Sequence, residues 1–171
     1  MERRMLNCMF YKPTARDPLV NRVVAHFNGP FSHVELSFED GTASSVMHGE
    51  TVFFHNKNYS NPNYTVVTLA VSAAAYDRVQ AFCRAAAQRK VGFCKASMFL
   101  SALPVQLMPA RADATFCSRL VTEALQAGGV DLVTHFNPML VTPTMLHDAV
   151  ARDETKVLGT VPGRLRLPWA V

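Results

Sequence analysis

No stretch of this sequence stays apolar for the ~20 residues that a bilayer-spanning helix requires. The longest weakly polar run, residues 66–76, is interrupted by Thr68 and Ser72. The opening residues lack the apolar core and small-residue cleavage site of an export signal. A secreted or membrane-spanning chain is therefore not expected, and a cytoplasmic setting is. Cysteine is scarce: Cys8, Cys83, Cys94 and Cys117 form no C-x-x-C pair and no zinc-ligand spacing. Without an export signal, four free thiols are expected rather than two disulfides. There is no glycine-rich phosphate loop, and His48 and His55 lack a spacing that converges on an ion. Neither a cofactor nor a metal is expected. Charge of one sign is not concentrated either: 17 basic against 13 acidic side chains leave +4, with no basic run of five. Nucleic acid is thus not an expected partner. The aromatic residues Phe53, Phe54, Tyr59 and Tyr64 flank an Asn-rich loop, but only Lys57 supplies charge there.

What remains is enough for one packed core. Of the 171 residues, 49% are hydrophobic and 18% charged, so a single domain spanning residues 1–171 is expected. Residues 4–12 read as a first strand closed by Pro13. Asp17 and Pro18 open a short helix, with Asp17 as its cap, ending near Asn28-Gly29-Pro30. Residues 33–39 and 42–47 read as a hairpin about Asp40-Gly41. Further strands are expected over 51–54 and 64–71, and a helix capped by Ser72 over 73–90. Residues 91–109 give no clear pattern. Residues 114–127 form an amphipathic helix stopped by Gly128-Gly129, and Thr142-Pro143 starts another through Ala151. Residues 157–171 are a last strand or an arm. The pattern is α+β, with a small, mostly antiparallel sheet.

Two candidate chemical residues stand out. Cys117 falls in the first turn of a helix, where unpaired N–H groups and the helix dipole favour a thiolate and could hold an oxyanion. Helical spacing puts it on the face of Leu120, Val121, Ala124 and Leu125, with Ser118, Arg119, Thr122 and Glu123 pointing elsewhere. A buried structural cysteine is the competing reading. A thiol nucleophile needs a base. His26, His55, His135 and His147 read as surface residues, whereas His33 shares one strand face with Glu35 and Ser37, opposite Val34, Leu36 and Phe38.

The segment Phe31-Ser32-His33-Val34-Glu35-Leu36-Ser37-Phe38-Glu39-Asp40-Gly41 resembles the histidine strand and turn of the NlpC/P60 superfamily. The segment Thr115-Phe116-Cys117-Ser118-Arg119-Leu120-Val121 is similar to that superfamily's nucleophile helix, and Thr142-Pro143-Thr144-Met145-Leu146 to a later helix start. Histidine precedes cysteine, the order of the circularly permuted branch, which includes permuted amidase-like, lecithin-retinol acyltransferase-like and viral proteins. The resemblance covers residues 31–146. It implies a papain-like fold with the nucleophile helix packed on the sheet, Cys117 as nucleophile and His33 as general base. The family's third polar residue falls at Ser45, beside Ser44, and neither is a usual orienting group. Glu35 is the preferred substitute because its carboxylate would also stabilise an imidazolium, and His48 is the alternative. The implied activity is hydrolysis of a peptide, amide or isopeptide bond. Lipid acyl transfer, thioester hydrolysis and an inactive papain-like scaffold remain as alternatives.

Overall fold

The computed structural model describes residues 2–100, 111–152 and 157–162. It is α+β. The strands of the main sheet are β1 (Arg3–Tyr11), β2 (His33–Ser37), β3 (Thr42–Ser45), β4 (Phe53–Asn56), β5 (Tyr64–Ser72) and, past two short strands, β8 (Val157–Pro162). They lie in the order β4-β3-β2-β1-β5-β8, every neighbouring pair antiparallel. The expected second strand stops two residues short of Met47, and the expected strand over 51–54 shifts to begin at Phe53. Thr51 instead bridges Gly92.

The Asp40-Gly41 turn closes as expected. Gly41 takes φ 81°, and Asp40 Oδ1 accepts from the N and Oγ1 of Thr42 at 2.9 and 2.6 Å. Helix α1 (Leu19–Asn28) begins without the expected cap. The Asp17 carboxylate is engaged elsewhere, accepting from Tyr11 Oη and from Thr14 N and Oγ1, each at 2.7 Å. Ser72 does cap helix α2 (Ala73–Gln88), accepting from Ala75 N at 3.2 Å. Between α2 and the next long helix, β6 (Gly92–Phe93) pairs in parallel with β7 (Ala114–Thr115), and α3 (Lys95–Leu100) lies in the crossover.

That parallel pair corrects the expected start of the Cys117 helix. Ala114 and Thr115 are strand, so α4 (Cys117–Gly128) starts at Cys117 itself. Gly129, at φ 74°, ends it in the left-handed conformation that a glycine adopts most readily. Helix α5 (Pro143–Ala151) is capped by Thr142, whose Oγ1 accepts from Met145 N at 3.2 Å.

Helices α2 and α4 lie against each other on one sheet face. Tyr76, Val79 and Cys83 from α2 meet Cys117, Val121, Ala124 and Leu125 from α4 over Leu6, Phe10, Val34, Leu36 and Leu69. The two helices approach so closely at Gly128 that a Cβ there would sit 2.5 Å from Val79 Cγ2 and 3.1 Å from the Ala75 carbonyl oxygen. Residues 157–162 are a strand on β5, and residues 163–171 of the expected tail lie outside the described residues.

Candidate active site

Cys117 is placed by a change of backbone direction. Phe116 is extended (φ −139°, ψ 166°), and its carbonyl accepts the first helical bond, from Leu120 N at 2.9 Å. No side chain caps this end. The first-turn N–H groups of an α-helix have no intrahelical acceptor, and the Ser118 N–H is near enough to the sulfur to favour its charged form.

The side chains expected to point away from the core are in fact buried: Ser118, Arg119 and Thr122. Their polar atoms explain why burial is tolerated. Ser118 Oγ donates to the Val141 carbonyl at 2.7 Å, and Thr122 Oγ1 to the Ser118 carbonyl at 2.7 Å. Arg119 donates to Glu123 and to the carbonyls of Ala114 and Arg111. Helix α4 is therefore central rather than laid on the surface, and its first residue is held rigidly.

Opposite it, His33 opens β2, where the Ser32 N–H donates to the Tyr11 carbonyl at 3.0 Å. The imidazole is mostly buried (12% exposed) and lies close enough to the Cys117 sulfur for each to stabilise the other's charge. Its Nε2 lies 3.2 Å from Glu35 Oε1, an ion-pair distance, although the N–H is not aligned on the oxygen.

Glu35 is wholly buried. Lys57 Nζ donates to both its oxygens, at 2.6 and 2.7 Å, Tyr59 Oη donates to Oε2 at 2.7 Å, and Tyr64 Oη to Oε1 at 2.7 Å. The ammonium also lies over the rings of Phe53, Tyr59 and Tyr64, at 5.4, 5.1 and 5.8 Å from their centroids.

The charges follow from this packing. Burial, the largest influence on the Cys117 thiol, disfavours the thiolate, but the His33 charge and the N–H groups of Val34 and Ser118 outweigh it, and the pKa is lowered. Burial likewise works against a charged His33, yet the thiolate and Glu35 hold the imidazolium to about 9. Burial would raise the Glu35 pKa, and His33 and Lys57 instead bring it to about 2. Burial and the neighbouring carboxylate both raise the phenol pKa values of Tyr59 and Tyr64.

Both Cys117 and His33 line one cleft of about 480 Å³. Its apolar wall includes Val20, Val24, Val46, Met47, Phe93 and Met98, and its polar lining includes Asp17, His48, Glu50, Asn61 and Tyr64.

Among the sequence candidates for a third residue, only Glu35 reaches the imidazole. Ser45 Oγ donates to the Val34 carbonyl at 2.7 Å and Ser44 Oγ to the Phe53 carbonyl at 2.9 Å, so both hydroxyls stitch backbone. His48 is exposed on the cleft rim, its ring 5.3 Å from that of Phe93. His26, His55 and His135 are exposed as expected, but His147 is not simply at the surface: it packs on Phe10 and Phe31.

Sequence reasoning missed Lys57, Tyr59 and Tyr64. The signal was a lone lysine among aromatics, a composition that also suits a buried carboxylate. All four cysteines are free. Cys8 and Cys83 are pushed up to about 12 by burial, whereas Cys94 is lowered: Ser97 and the arginines Arg111 and Arg119 outweigh its burial.

No family model, curated protein or solved structure matches this chain. Among the described residues, no helix is long and apolar enough to cross a membrane.

Proposed function

We propose that the chain is a thiol-dependent acyl hydrolase of papain-like, circularly permuted arrangement, acting on a peptide or other amide. The observation that supports this most is the juxtaposition of Cys117 and His33 on one cleft, with the sulfur at a helix start and a buried carboxylate behind the imidazole. In this reading the Cys117 thiolate attacks the substrate carbonyl, forming a C–S bond. First-turn N–H groups of α4 stabilise the oxyanion. The imidazolium of His33 then gives its proton to the departing amine as the C–N bond breaks. Water attacks the thioester, loses a proton to His33 and displaces the sulfur, releasing a carboxylic acid. Glu35 keeps the ring oriented and charged.

The lining favours an amide over a phospholipid substrate. The carboxylate side chains lining the cleft among the described residues are Asp17 and Glu50, which disfavour an anionic headgroup.

The test is alkylation by iodoacetamide with mapping of the modified residue. It is best done in a Cys94→Ser background, because the partly exposed Cys94 is itself acidified. Rapid modification of Cys117 that is lost in His33→Ala supports the reading. Modification no faster than that of Cys8 and Cys83 overturns it and leaves an inactive scaffold.

A further inference from the structure

Lys57 lies outside the cleft lining, yet it is bound to the group that faces the base. It directly follows Asn56, the last residue of β4, which is registered on Thr42 of β3. Its own N–H donates to the Gly41 carbonyl at 3.2 Å, so the backbone under the side chain is tied to the β2–β3 turn. The ammonium shares Oε1 of Glu35 with His33.

We propose that Lys57 is a positioning residue that sets the proton affinity of the Cys117–His33 pair through Glu35. This rests on the acyl-hydrolase reading given above. A wholly buried carboxylate facing only an imidazolium would hold it as a tight ion pair, one reluctant to surrender a proton to a leaving group. A second cation on the same oxygen weakens that hold while keeping the carboxylate ionised. Tyr59 and Tyr64 fill the remaining acceptor directions, so Glu35 cannot turn away from His33 without breaking charge-assisted bonds. Tyr64 in turn packs on Tyr11, whose hydroxyl is bonded to Asp17. The groups that face Glu35 are thus His33 from its own strand, Lys57 and Tyr59 from the loop after β4, and Tyr64 from β5. Those that face the sulfur are His33 and the N–H groups of Val34 and Ser118.

The sign follows from the charge. Removing a positive charge within ~6 Å of the imidazole makes the local potential more negative, which raises the proton affinity of both His33 and Cys117. At that separation, effective dielectric constants between about 80 and 20 give shifts of about 0.5 to 2 pH units.

The experiment is the pH profile of Cys117 alkylation by iodoacetamide in the full chain. Lys57→Gln, which keeps a hydrogen-bond donor, and Lys57→Met are the two charge-free variants, so that one folded protein suffices. The acid limb is expected to move to higher pH in the charge-free variants, slowing alkylation below it by about 3- to 100-fold. Lys57→Arg is expected to keep the limb near its wild-type position. In a Glu35→Gln background the same Lys57 change is expected to move the limb less, because the ammonium, no longer held by the carboxylate, swings into solvent and away from the imidazole. A profile unmoved by loss of Lys57 but moved by His33→Ala overturns the role of Lys57 and leaves the thiol–imidazole pair intact. A profile unmoved by His33→Ala overturns the pair itself.

Discussion

Replacing Glu35 by Gln tests the arrangement with the least change of shape. The carboxylate is fully buried and accepts from Lys57, Tyr59 and Tyr64 besides facing His33. Its pKa of about 2 against an ordinary 4.5 corresponds to roughly 3 kcal/mol of differential stabilisation of the charged form. An independent route gives a similar size. Breaking a fully buried ion pair costs about 3–5 kcal/mol. Here the low end applies, since Lys57 is 28% exposed and recovers some hydration when its partner is neutral. We therefore expect Glu35→Gln to lose about 3 kcal/mol at pH 7, read as a lower urea midpoint at unchanged slope.

The pH dependence carries the sharper test. A carboxylate with a depressed folded-state pKa stabilises above its unfolded value, and that contribution disappears as pH falls through the folded value. The gap between wild type and Glu35→Gln should thus be full above pH 4.5 and close as pH drops towards about 2, where wild-type Glu35 takes up a proton. Equal midpoints at pH 7, or a gap that persists unchanged below pH 2, would refute the reasoning.

Other substitutions probe separate joints. Ser45→Ala removes the bond to the Val34 carbonyl and should cost about 1 kcal/mol by thermal melting, with the Cys117 alkylation rate unchanged, because Ser45 does not touch the imidazole. Gly128→Ala drives a Cβ into Val79 and the Ala75 carbonyl and should destabilise by about 1–3 kcal/mol; wild-type stability would show that α2 and α4 have room to spare. Thr142→Ala deletes the cap of α5 and should lower stability by about 1 kcal/mol in the same assay. In an NMR titration His33 should stay protonated to about pH 9, and Glu35→Gln should lower that value, because the carboxylate supports the imidazolium. The same raised pKa means that the His33 contribution to stability is full below about pH 6.5 and is lost as pH rises through about 9.

Local chemistry made several elements readable. An Asp-Gly pair between β-prone runs specifies a hairpin wherever it occurs, and Ser72, Thr142 and Gly129 act on their own helices through bonds within a few residues. Cys117, His33 and Glu35 were also readable as candidates, since one depends on a helix start and the others on strand alternation. What failed depends on distant partners. Asp17 has the side chain of a cap, but Tyr11 and Thr14 compete for it. Ala114 and Thr115 run directly into the apolar periodicity of α4, yet pairing with Gly92 and Phe93 recruits them to a strand. Ser118, Arg119 and Thr122 look solvent-facing by type, but each found backbone or side-chain partners inside. No periodicity encodes the meeting of Lys57 with Glu35, because it requires β4 to be laid on β3 in one register.

That register bears on how a carboxylate on the same strand comes to stand behind the imidazole. A third residue on the following strand would have to come from Ser44 or Ser45, whose hydroxyls satisfy the Phe53 and Val34 carbonyls. Two positions from His33 on β2, a glutamate reaches the ring without any help from β3. The cost is a fully buried negative charge, which one mostly buried imidazole would not offset alone. The loop after β4 supplies the cation and a phenol, and the start of β5 supplies the second phenol. The aromatic loop thus completes an electrostatic unit that the histidine strand leaves unfinished, and the candidate site needs six residues to hold one proton in place rather than three.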